Sequence, residues 1–135
     1  MVDQSLTDRK LSASFELADR LEKVGAPLLA VFWEWRQETG RWELVLVPRS
    51  RAYERELIKV TTDVLIEPPY RSIFSLLDVA VNARQIDRAR AIGSYIRGSE
   101  NLGRRFDTTF TGGHYFEAVI VVYLSPEFVR EHHVA

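Results

Sequence analysis

Arg105-Phe106-Asp107-Thr108-Thr109-Phe110-Thr111 and His114-Tyr115-Phe116-Glu117-Ala118-Val119-Ile120-Val121-Val122-Tyr123 flank Gly112-Gly113, and this stretch decides the fold. Both halves are rich in β-branched and aromatic residues, which suit the pleated, half-buried surface of a strand. Gly-Gly supplies the positive φ angles of the two-residue turns that join twisted antiparallel strands. A hairpin over residues 104–124 is therefore expected. Its turn sets Thr108 opposite Glu117 and Asp107 opposite Ala118, so Asp107 and Glu117 point to opposite faces.

Upstream, a second hairpin is expected over residues 28–47. Leu28 to Trp35 and Trp42 to Val47 are apolar runs joined around Gln37-Glu38-Thr39-Gly40. A four-residue loop pairs Trp35 with Trp42 and Trp33 with Leu44, whereas a three-residue loop with Gly40 in a bulge shifts the register. Both faces of these strands are apolar, which implies either two covered sheet faces or one face offered to a partner.

Residues 5–24 carry Leu11, Phe15, Ala18 and Leu21 at helical spacing, with Ser5 as a candidate N-cap and Gly25 and Pro27 as the stop. A second helix is expected over 51–66, capped by Ser50, with Tyr53, Leu57, Val60 or Thr61, and Val64 on its buried side. Residues 70–82 fit both periodicities; a strand at 76–81 is preferred, because Asn82 then caps a third helix over 84–97. That helix is expected to bury Ile86, Ala89, Gly93 and Ile96. The prediction is an α+β domain over residues 1–135 with three helices in the order αββαβαββ. About five strands form a mixed sheet, with helices on one face or on both.

The chain has 135 residues, 46% of them hydrophobic and 27% charged, with a net charge of −1 and no cysteine. Disulfides, thiolate metal sites and a cysteine nucleophile are thereby excluded. No apolar run is long enough to span a bilayer, and the N-terminus lacks the parts of a signal peptide, so a cytoplasmic location with no membrane partner is expected. Fifteen of the 18 basic residues are arginine. Arginine suits planar recognition of carboxylates and phosphates, although a GC-rich genome produces the same bias.

Candidate chemistry is sparse. Asp107, His114 and Glu117 share the last hairpin, but opposite faces argue against a carboxylate dyad or a shared metal. His132 and His133 are adjacent and so share no face. No phosphate loop or nucleophile elbow is present, and no catalytic residue, metal or cofactor is expected. Between residues 84 and 105 six arginines stand against Asp87 and Glu100. Arg84, Arg88, Tyr95, Arg97, Arg104 and Arg105 are the candidate binding residues, with Arg84, Arg88 and Tyr95 placed opposite the buried stripe. Trp33, Trp35 and Trp42 are candidates for a protein interface.

Ala30-Val31-Phe32-Trp33-Glu34-Trp35, the turn and strand Glu38 to Leu46, and the closing hairpin from Phe106 to Leu124 resemble a group of small uncharacterised bacterial α/β proteins. That resemblance implies no activity. The expected function is a non-catalytic interaction module binding another protein or itself. The rival is nucleic-acid binding through residues 84–105, and the third reading is a hydrolase or nuclease at residues 107–117.

Overall fold

The computed structural model describes residues 6–75, 77–96 and 99–126. Helix α1 (Asp8–Lys23) leads into a hairpin of β1 (Leu28–Arg36) and β2 (Arg41–Pro48). Helices α2 (Glu54–Leu65) and α3 (Tyr70–Ile73) then cross to β3 (Val79–Val81). Helix α4 (Ile86–Ile96) precedes the closing hairpin of β4 (Arg105–Thr111) and β5 (His114–Leu124). The five strands form one sheet in the order β3-β2-β1-β5-β4, and β3 is the strand that runs parallel to its neighbour. The architecture is α+β with a mixed sheet.

The count of helices corrects the sequence prediction: four are present among the described residues, not three. The additional one is α3, a single turn too short to display a period. Ser72 Oγ donates to the Pro69 carbonyl at 2.8 Å, and the Phe74 N–H donates to the Tyr70 carbonyl at 2.9 Å. That turn puts Tyr70 and Phe74, four residues apart, inside the core, with the Phe74 ring 6.2 Å from that of Trp33. The expected strand at 76–81 shrinks to three residues, and Leu76 lies outside the described residues.

Helices cover both faces of the sheet. On one face α1, α2 and α3 bury Leu17, Leu21, Leu57 and Val64 against Trp33, Leu44 and Ile120. On the other, α4 buries Ala89, Ile92 and Ile96 against Phe32, Val45 and Val119. Burying each such aliphatic side chain contributes about 1.5–3 kcal/mol, which explains why strand residues on both faces are apolar. A further tie holds α1 to β1: Trp33 Nε1 donates to Ser14 Oγ at 3.0 Å inside the core.

Local boundaries follow capping chemistry. Thr7 caps α1, its hydroxyl accepting from the Lys10 N–H at 3.3 Å; Ser5 lies outside the described residues. Ser50 makes no side-chain cap bond, and a 3-10 turn at Arg51–Tyr53 precedes α2 and leaves Tyr53 exposed. Asn82 caps as expected, with Oδ1 accepting from the Arg84 N–H at 2.9 Å. The first hairpin has the four-residue loop, which sets Trp35 opposite Trp42 and Trp33 opposite Leu44. In the second, Asp107 pairs with Ala118 and Thr111 with His114 across Gly112 and Gly113. Thr108 is the irregular position, with a φ of 47°.

Candidate interaction edge

Three groups of side chains come into question: a charged cleft at the end of the central strands, the arginines of residues 84–105, and the free edge at β3. The cleft, of about 300 Å³, is lined by Glu34, Arg36, Gln37, Arg88, Tyr115 and Glu117 among others. Glu34 stands at an inward-facing position of β1 and is 4% exposed. Arg88, from α4, donates to both of its oxygens at 2.5 Å and lies 4.2 Å above the Phe116 ring. The same guanidinium donates to Gln85 Oε1 and to the Tyr115 carbonyl, both at 2.8 Å. Arg36 bridges the like-charged cross-strand pair Glu34 and Glu43, at 3.7 and 3.0 Å. Gln37, with its amide nitrogen toward Glu117, donates to both of that residue's oxygens. The charges here are engaged with one another, and the arrangement ties β1, β2, β5 and α4 together.

This geometry corrects the expected arginine face. Ile92, absent from the expected stripe, is fully buried, so the inward side of α4 extends to position 88, one turn earlier. Arg88 therefore points into the molecule. Arg105 is paired with Asp107 at 2.8 Å and lies 5.3 Å from the Trp42 ring, and Arg104 lies over Phe106. Tyr95 packs edge-on against Phe106, with centroids 5.5 Å apart. Arg84 is exposed. Arg97 lies outside the described residues, as do His132 and His133. A continuous basic face does not form from the described members of this set.

The tryptophans are placed in the interior. Trp33, Trp35 and Trp42 all belong to the core on the α1 face, with the last two in edge-to-face contact at 5.9 Å. Asp107, His114 and Glu117 do not converge: Asp107 engages Arg105, Glu117 engages Gln37, and His114 pairs across the turn with Thr111. Among the described residues no three His, Cys, Asp or Glu side chains gather as metal ligands. Among those residues, too, no helix is long and apolar enough to cross a membrane.

The edge at β3 differs from all of these. In the parallel ladder the Leu44 N–H donates to the Asp78 carbonyl at 2.6 Å, and the Asn82 N–H donates to the Leu46 carbonyl at 3.1 Å. Alternation then turns the backbone groups of Ala80 toward β2 and those of Val79 and Val81 toward the open edge. Beside this edge runs a groove of about 230 Å³ lined by Ile58, Thr61, Thr62, Leu65, Val79 and Val81. A second hollow, of about 260 Å³, continues it along α2 past Leu65 and Ile66 to Phe74. Ile58 and Ile66 stand out from the surface here, 44% and 64% exposed. Thr61 is buried, and its Oγ1 has no hydrogen-bond partner among the described residues. The sequence offers Val60 or Thr61 for the buried side of α2 but gives no sign of the groove, because the position of the short β3 at the sheet edge is set by long-range pairing.

Compared with models of protein families, with curated proteins and with solved structures, the chain matches none. The reading of function therefore rests on the geometry above.

Proposed function

We propose that this chain is a non-catalytic protein-interaction module that receives its partner along the free edge of β3. The observation that carries this reading is the pairing of unpaired backbone groups with exposed aliphatic side chains at one place. An edge strand supplies main-chain donors and acceptors to an added strand, and adjoining pockets supply selectivity. Exposed aliphatic side chains scattered singly need no explanation, but a contiguous set beside an open edge marks a contact surface. The partner is a protein, docked through backbone and aliphatic contacts; of the arginines that would hold a phosphate backbone, Arg88, Arg105 and Arg104 are engaged with Glu34, Asp107 and Phe106.

The test compares capture from native extract by the wild-type chain and by two edge variants. Val81→Pro removes an outward N–H, and Ile58→Lys puts a charge on the groove wall. Proteins retained by wild type and by Arg84→Ala but lost with both edge variants support the reading. Identical captures by every variant, or a nuclease-sensitive capture that disappears with Arg84→Ala, overturn it.

A further inference from the structure

We propose that the partner of the β3 edge docks through an extended acidic segment, with an acid at each end of a short aliphatic stretch; this rests on the protein-interaction reading above. The outward backbone groups of Val79 and Val81 accept any strand, so the surrounding side chains make the selection. The groove beside them is walled by Ile58, Leu65, Val79 and Val81, and Ile66 and Phe74 continue it in the second hollow. Side chains of an added strand alternate between the two faces of the sheet, so every second one meets this aliphatic wall.

Two cations mark the ends of this surface. Arg71 is exposed and lines the second hollow beside Ile66 and Phe74. Arg55, also exposed, stands three and seven positions before Ile58 and Thr62 and so shares their side of α2. Neither guanidinium holds an acid among the described residues. The acids nearby are turned to other partners or away. Glu54 accepts from the Ala83 N–H at 2.7 Å, Glu67 is paired with Arg20 at 3.4 Å, and Asp78 with Lys10 at 3.1 Å. Glu56 and Asp63 fall on the side of α2 opposite Ile58 and Leu65. An aliphatic groove with an unpaired arginine at either end favours carboxylates on the incoming chain and repels its cations.

The spacing of the acids follows from that of the arginines. Position 55 lies roughly 16 Å along α2 from position 66, where the hollow lined by Arg71 begins. Six steps of extended chain cover roughly 20 Å, and residues six apart point to the same face. Acids at the two ends of a seven-residue segment therefore reach both arginines, and the side chains two and four positions along face the groove between them.

Two capped seven-residue peptides test this, each with threonine alternating with valine in its interior, one with glutamate at both ends and the other with lysine. Binding is followed by the amide chemical shifts of the chain. The glutamate peptide is expected to bind about tenfold more tightly than the lysine peptide at low salt, and the difference to shrink as salt rises. Arg55→Ala and Arg71→Ala are each expected to weaken it about two- to fivefold. The double variant Arg55→Glu/Arg71→Glu, changed only at exposed positions, is expected to reverse the preference. Equal affinity for the two peptides, or a preference for the lysine peptide, overturns the acidic occupant and leaves the protein-interaction reading in place. So does a chain that fills its own edge, seen in sedimentation as a dimer that Ile58→Lys dissociates. If neither peptide binds, the acidic segment falls; capture from native extract that still depends on the edge then keeps the wider reading, and its loss removes both.

Discussion

Replacing Arg88 by alanine removes four hydrogen bonds at once, and one consequence dominates. Glu34 stays in a site that is 4% exposed, after losing both donors at 2.5 Å. Breaking a buried ion pair from one side costs about 3–5 kcal/mol, because the remaining carboxylate is buried without its hydrogen-bonded partner. The Tyr115 carbonyl and Gln85 Oε1 lose their 2.8 Å donors, and the Phe116 face loses its cation. Arg36 Nη1, already 3.7 Å from Glu34, offers partial shielding, which places the expected loss near the lower bound, at about 3 kcal/mol. Against a total stability of about 5–15 kcal/mol, that is a large share.

Urea unfolding followed by tryptophan fluorescence reads the effect. With a slope of about 1.5 kcal/mol per molar, the midpoint falls by about 2 M, and Arg84→Ala stays within about 0.5 kcal/mol of wild type. The double variant Glu34→Met/Arg88→Met is expected to recover most of the loss, since apolar side chains of similar volume replace the buried pair. An Arg88→Ala midpoint indistinguishable from that of Arg84→Ala refutes the reasoning. So does a double variant no more stable than the single one.

Gly112→Ala is expected to cost about 1–3 kcal/mol, because the new Cβ falls 2.8 Å from the Ala91 Cβ at a φ of 56°, and thermal unfolding measures it. Gly113→Ala, strained at a φ of 80° but facing open space, is expected to cost less. Tyrosine ionisation supplies an independent check. Burial first, then the Glu22 hydrogen bond and charge, push Tyr123 above its ordinary value of 10.0; burial first, then Glu16, raise Tyr70. Both groups therefore add stability that is complete below pH 10 and is lost as pH rises beyond it. In an alkaline absorbance titration, the folded chain is expected to ionise these two tyrosines later than the urea-unfolded chain does. A single wave at the same pH in both states contradicts the burial of these phenols.

The parts of the fold that were legible in the sequence are those set by neighbouring residues. Gly112-Gly113 fixed one register, whereas the 28–47 hairpin was legible as a hairpin with its register open between two loop lengths, which the structure decides as the four-residue loop. Asn82 marked the start of the α4 segment through a cap that needs only two residues. What escaped was long-range or too short for a period. Helix α3 is one turn, so only the contact of Tyr70 and Phe74 with the core gives it a pattern. The Glu34–Arg88 pair spans 54 positions, and no local rule joins them. A signal was nevertheless present: Glu34 interrupts a strand apolar on both faces, and a carboxylate in such a place requires a cation. Ile92, one turn beyond Arg88, shows which helix supplies it.

The two ends of the sheet explain why the proposed interaction surface lies where no motif marks it. Strand β3 is reached through α2 and α3 and joins β2 in parallel, as a crossover connection requires. It pairs over three residues and then turns into the α4 cap, so it contributes an edge without the length to cover it. At the other end β4 is seven residues long, yet its charged side chains and the irregular Thr108 protect it. An edge without such protection either associates or is covered. Around β3 the cover is incomplete: α2 leaves Ile58 and Ile66 facing outward and the Thr61 hydroxyl without a partner among the described residues. The three tryptophans are consumed by the core on the α1 face. In the proposed reading the capacity to bind passes instead to Val79 and Val81, whose backbone groups face the open edge.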